Sequence, residues 1–320
     1  MKVDRDILLF LWRWKLLSSS AIAARFFPEA TSSGANKRLE RLRRHNLIYP
    51  FYMNSTEAKV LWSLTAKGFK EAKVRLPELS EAGFRSEHPL HDYYVTAIHL
   101  GEWLAKTPNG CDLFSEQELR RYSPDNFPHW VPTNTLHRSD GYWKIRLPEG
   151  TLVAALEVEL NLKTRPKYGV VAQYYKDQPN ISRVIWVVEN LADGTKIRDA
   201  LKASSPSNIG IHTFILLPDF LSLGWEATIR YGFEVGQPLS SLFRFDSGET
   251  REKSSVFSLL DTRKWPSVSD PSANFSKEPI SLLARHGRAL PHSQSGHDFQ
   301  KQAGLPRPAD SLNQSRRTTQ

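Results

Sequence analysis

Apolar residues recur at three- and four-residue spacing along the first quarter of the chain and at two-residue spacing through its middle. Ile7, Leu8, Leu11 and Trp14 follow the first rule, so 4–15 is predicted as a helix with Asp4 as its cap. "AIAARFF", opened by Ser20 and stopped by Pro28, gives a second helix. "TSSG" supplies capping hydroxyls for a third over 35–45, which Asn46 ends. "LIYPFYM" and "AKVLWSL" read as strands around the turn "NSTE", and Thr65 caps a helix in "AKGFKEAKV". Three helices, a hairpin and a closing helix make 1–75 a winged helix-turn-helix.

After a polar connector at 76–87, residues 88–106 have the pattern of a helix, followed by the break "TPNG". "LFSEQELRRY" reads as a strand and then a helix. "DGYWKIRL" and "TLVAALEVELNL" alternate as an antiparallel pair across the turn "PEG". Residues 166–178 form a helix with an aromatic stripe. The nearly all-apolar "SRVIWVVEN" suits a strand inside a sheet. "DGTKIRDALKAS" adds a helix and "IGIHTFILL" another buried strand. The predicted class is α+β, with an α/β sandwich over 88–245 following the winged helix. From 246 to 320 the periodicity is lost among Ser, Pro and Gln, and that segment is expected to be a flexible tail.

Charge sharpens this picture. Residues 1–75 hold fifteen Lys and Arg against six Asp and Glu, while the remainder balances, so the net charge of +9 belongs entirely to the N-terminal segment. That asymmetry suits a module for a polyanion attached to a neutral body. In the third helix Lys37, Arg41 and Arg44 share a face with Arg38 beside it, and Leu39 and Leu42 point the other way. This division suits a recognition helix that meets phosphates and guanine edges of double-stranded DNA.

Several function classes fall away. Cys111 is the single cysteine, so no internal disulfide can form and a reducing, cytoplasmic setting is expected. The run "ILLFLW" is far shorter than the roughly 20 residues that span a membrane. There is no Gly-rich phosphate loop for ATP or GTP, and no His-x-His pair. His88 and His91 are spaced to share a metal, but structural or surface roles suit such a pair better.

The stretch "LEVELNLK" carries the candidate chemistry. Leu156, Val158, Leu160 and Leu162 alternate with Glu157, Glu159, Asn161 and Lys163. Two carboxylates on one strand face repel unless a cation sits nearby, and Mg²⁺ favours such hard oxygen donors. Hairpin pairing would bring Asp140, in "RSDGYW", close to Glu157 or Glu159. Asp140 and Glu157 would then hold Mg²⁺, with Glu159 and Lys163 completing a catalytic set for phosphodiester cleavage. The competing reading is an amphipathic strand whose outer face is wet. Glu116 reads as a solvated surface glutamate, or else as an additional acidic ligand.

The layout resembles the PD-(D/E)XK nuclease superfamily, whose core motif is an Asp followed by Glu-x-Lys on the next strand. More narrowly, residues 4–245 resemble the replication-relaxation family, through "LWSLTAKG", "HPLHDYYVTAIHL", "FSEQELRR", "SDGYW", "ALEVELNLKTRPKY" and "VAQYYKD". The resemblance implies a bacterial plasmid or mobile-element protein that joins a winged helix-turn-helix to a restriction-endonuclease-like domain. Its implied activity is DNA nicking of the relaxase kind, with other mobilisation or replication proteins as partners. The alternative is a non-catalytic replication initiator or transcriptional regulator with a degenerate nuclease fold. Glu159 stands where Glu-x-Lys would put lysine, so Lys163 or Lys167 would have to supply the cation. Gln173, Tyr174 and Tyr175 resemble the Gln-x-x-x-Tyr element of some such nucleases, against a simple packing role.

Overall fold

The computed structural model describes residues 2–29, 32–53, 60–134, 136–148 and 150–243. The expected turn at 54–57 and the expected tail at 246–320 lie outside the described residues.

Helix α1 (Lys2–Trp14) buries Ile7, Leu8, Leu11, Trp12 and Trp14, one stripe of the predicted periodicity. It starts before Asp4, so Asp4 is not its cap; the carboxylate instead reaches α3. A two-residue strand β1 (Leu17–Ser18) leads into α2 (Ser19–Phe26). Ser18, not Ser20, caps α2, accepting from the Ala21 N–H. Helix α3 (Ser32–Arg44) begins three residues earlier than predicted and buries Leu39 and Leu42. Asn46 takes a positive φ of 56°, as a residue ending a helix does. Strands β2 (Ile48–Tyr52) and β3 (Val60–Leu64) form the hairpin, and β1 joins on β3's other edge in the order β1-β3-β2. Thr65 caps α4 (Ala66–Lys73) through the Gly68 N–H.

The connector 76–87 is laid along the rest of the protein. Trp12 and Gln117 both donate to the Gly83 carbonyl, and the Ser80 N–H donates to Arg121. Helix α5 (Pro89–Leu100) then runs through the interior, with every residue from Asp92 to Leu100 buried. The predicted helix to Lys106 ends early because Gly101 turns the chain at φ 43° into a 3-10 turn.

Strands β4 (Cys111–Ser115), β5 (Gly141–Leu147), β6 (Gly150–Glu159), β7 (Arg183–Val188) and β8 (His212–Leu216) form a mixed sheet in that order. The pairs β4–β5 and β5–β6 are antiparallel; β6–β7 and β7–β8 are parallel. Between the strands lie α6 (Glu116–Arg121), α7 (Arg165–Lys176) and α8 (Leu191–Ser204), and α9 (Leu217–Leu223) follows β8. Tyr142 and Trp143, adjacent on β5, point to opposite faces. Trp143 donates to the His99 carbonyl on α5, and the Tyr142 hydroxyl lies 2.8 Å from that of Tyr174 on α7. The sheet is therefore covered by α5 on one face and α7 on the other. Trp12, Trp143, Trp186 and Trp225 are fully buried. Each such side chain contributes on the order of 2–3 kcal/mol when removed from water. The fold is mixed α+β, a small antiparallel sheet beside a five-stranded one, and all described residues belong to one compact unit.

Candidate functional site

The pairing of β5 with β6 brings the predicted acidic residues together. Gly141 lies opposite Leu156, so one step further Asp140 lies opposite Glu157. The ladder ends there because β5 starts at Gly141, and the last residues of β6 need other partners on that side. Side chains supply them. The Val158 N–H donates to Asp140 Oδ2 at 2.6 Å, and the Val158 carbonyl lies 3.2 Å from His91 Nε2. His91 Nε2 is also 3.5 Å from Asp140 Oδ1. The peptide between the two glutamates is thus held by an aspartate and a histidine.

The strand's polar face is not wet. Glu157 is 3% exposed and Glu159 8%. Odd positions of β6 share Tyr142's face and lie beneath α7, which explains why both sides of the strand are buried. Glu157 Oε1 accepts from the Tyr175 hydroxyl and from His137 Nε2, the latter at 2.6 Å. The His137 ring stands edge-on to Tyr174 and Tyr175. The strand also stops at Glu159 and not at Leu162. Leu162 is exposed, against the expectation that it faces the core. Lys163 lies beyond the strand, yet its Nζ returns to Glu159 Oε2 at 2.7 Å.

The electrostatics follow from burying three carboxylates within one neighbourhood. Burial opposes charge on His91, but Asp140 overrides it and holds the imidazolium up to about 11. Burial likewise opposes charge on His137, and Glu157 raises it. Burial is the largest influence on Asp140 and opposes its charge, but the charge and hydrogen bond of His91, the Val158 N–H and Lys163 together hold the carboxyl below its ordinary value. Burial pushes the Glu159 carboxyl up despite Lys163, whose own proton Glu159 holds. The Tyr175 phenol is pushed far up by burial and by the adjacent Glu157 charge, so it acts as a donor only.

The remaining candidates separate. Lys167 is exposed. Gln173 is exposed and bonds Asp177, whereas Tyr174 and Tyr175 are buried, so the tyrosines of that element serve the interior and Glu157. Glu116 pairs with Lys15 at 2.6 Å, and its charge adds to those that raise His91. His88 is exposed at the start of α5 while His91 is turned to Asp140, so the two do not form a pair. His137 is the contributor that sequence reasoning missed, because a lone histidine in a loop carries no spacing signal.

Asp140, Glu157 and Glu159 offer the hard oxygen donors that Mg²⁺ takes, typically through one or two carboxylates with waters completing the shell. Among the described residues no group of three His, Cys, Asp or Glu is gathered to hold a metal. The donor type is the one Mg²⁺ takes, but the described residues are not gathered into a metal-holding group.

On α3, Lys37 and Arg44 are exposed. Arg38 and Arg41 are half-buried against Asp4 of α1, Arg41 Nη2 at 2.8 Å from Oδ2. The four predicted contact residues thus fall into an exposed pair and a pair tied to a neighbouring helix.

Comparison with known proteins gives no match to a family model, to a curated protein or to a solved structure. Among the described residues no helix is long and apolar enough to cross a membrane.

Proposed function

We propose that this chain is a DNA-processing protein of a plasmid or mobile element. In this reading α1 to α4 with their hairpin are a winged helix-turn-helix that grips duplex DNA through α3. The five-stranded sheet with its helices is a PD-(D/E)XK-like domain that nicks the strand. The observation that carries it is the juxtaposition of Asp140 and Glu157 at the shared end of β5 and β6, with Glu159 beside them. Asp140 and Glu157 would hold Mg²⁺, whose chemistry is to activate water and offset charge on the phosphate. Lys163 supports the reading from its displaced position, since its ammonium reaches the glutamate that stands in lysine's place. Other mobilisation or replication proteins would be its partners, in a bacterial cytoplasm.

A second reading has its own support: Glu157 is already satisfied by His137 and Tyr175, and Asp140 by Val158 and His91. A cluster so fully paired suits a binding protein, a replication initiator or transcriptional regulator, in which the same fold no longer cuts.

One experiment divides the two. Purified protein is incubated with Mg²⁺ and supercoiled plasmid carrying its own origin, alongside Glu157→Gln. Open-circle product from the wild type alone supports cleavage. Duplex binding by both proteins without any product supports the second reading.

A further inference from the structure

We infer that Lys15 is a positioning residue for the acidic cluster, acting through Asp92 and His91. Lys15 follows the last residue of α1, and its Nζ lies 3.1 Å from Asp92 Oδ1 and 2.6 Å from Glu116 Oε2. Asp92 Oδ2 accepts from the Ser86 hydroxyl at 2.6 Å, and Asp92 Oδ1 lies 3.7 Å from His91 Nδ1. The other nitrogen of His91 reaches the Val158 carbonyl and Asp140. A continuous line of charges and dipoles therefore joins the end of α1 to the peptide from which Glu157 and Glu159 project. The imidazole of His91 thus lies between the charge of Asp92, 3.7 Å from Nδ1, and the Val158 carbonyl, 3.2 Å from Nε2. That is the arrangement by which an outer carboxylate sets the orientation of an inner histidine.

Two observations point to the Lys15 side chain, and not only its backbone, as the part that serves. The residue sits at φ 61°, a left-handed conformation that glycine enters freely and a lysine resists. Its side chain is 7% exposed, an uncommon place for a lysine unless its charge is matched. A position whose backbone favours glycine nonetheless carries a buried ammonium between two carboxylates. Gly or Asn there would end the helix at least as well, and neither would hold Asp92.

The inference rests on reading the cluster as the working site, but its test does not require cleavage. Full-length protein, free of metal and DNA, is labelled with ¹⁵N-histidine, and the ring signals of His91 and His212 are assigned by substitution. His212 lies on β8 and serves as the internal control. Lys15→Gly suits the left-handed backbone and removes the ammonium; Lys15→Met keeps the chain length and removes only the charge. The expected result is displaced His91 signals in both variants with His212 unmoved. His91 signals that stay at their wild-type positions in Lys15→Gly overturn the inference. So does an equal displacement of His212, because the side chain would then serve the fold at large. A wild type that never nicks plasmid overturns the cleavage reading and leaves the histidine result standing on its own.

Discussion

Asp140 Oδ2 accepts the Val158 N–H at 2.6 Å, so a residue ahead of β5 closes the last open bond of β6. This single contact ties the candidate metal ligand to the backbone that carries the other two carboxylates. Removing the acceptor leaves a buried N–H without a partner, at about 1–3 kcal/mol. Asp140→Ala should lower unfolding free energy by that amount. Asp140→Asn keeps an acceptor oxygen but loses the charge facing His91, and should lose less. Urea denaturation of the two variants compares them directly. Equal losses would show that the backbone bond is not what Asp140 supplies.

Gly141 explains why Asp140 can stand where it does. Its φ is 144°, and a Cβ there would come within 2.0 Å of His99 Nε2 and 2.9 Å of the Phe114 carbonyl. His99 is packed between Trp14 and Trp143 and cannot withdraw. Gly141→Ala combines a strained backbone with overpacking, each worth roughly 1–3 kcal/mol. A loss of about 2–6 kcal/mol in thermal or urea unfolding is expected. A variant as stable as the wild type would mean that the β5 start is free to shift.

These two residues also show what the sequence could carry. The apolar run 152–156 continuing into the alternation of 156–159, and the apolar run of β7, announce their strands, because pleat period and burial leave a mark on residue type. That Asp140 would approach Glu157 or Glu159 followed from a short turn and an antiparallel hairpin, and the register places it opposite Glu157. The burial of Glu157 was not legible, since a glutamate beneath a helix and a glutamate in water are the same letter. What distinguishes them is Tyr175, eighteen residues on, and His137, twenty residues back. The ties of Arg38 and Arg41 to Asp4 were hidden for the same reason: helical periodicity says which face a residue occupies, and not what another helix presents to that face.

His212 predicts the acid side of the stability profile. Its ring is buried and its Nδ1 accepts from Trp186 Nε1 at 3.0 Å, so protonation loses a hydrogen bond as well as burying a charge. Burial pushes its value from 6.5 down to about 4, and His99 is pushed in the same direction to about 3. The unfolded chain therefore binds more protons than the folded one between these limits. The contribution of these two histidines is fully present above the unfolded value of 6.5 and is lost as the pH drops toward 4, at up to about 1.4 kcal/mol per pH unit for each. His212→Gln keeps an acceptor for Trp186 without the titration. Its unfolding free energy should fall with acid at about half the wild-type slope around pH 5–6. Identical slopes would show that His212 does not titrate as burial demands.

The face of α3 supplies the last prediction. Lys37 and Arg44 are exposed, whereas Arg38 and Arg41 are held by Asp4. Mutating the tied pair would strip Asp4 of its partners and disturb the packing of α1 on α3, so a loss of binding there would be ambiguous. Mutating the exposed pair touches no such contact. Each phosphate contact contributes about −0.9 to the slope of log K against log salt. Lys37→Ala with Arg44→Ala should therefore flatten that slope by about 1.8, with melting unchanged. Asp4→Asn acts oppositely: it removes a negative charge from beside the same surface, and should raise duplex affinity at low salt while weakening the hold on α1. Fluorescence anisotropy with a labelled duplex, repeated across salt concentrations, reads both effects. A double mutant that keeps the wild-type affinity and slope would remove α3 as the contact and, with it, the reading of the N-terminal segment as the part that grips DNA.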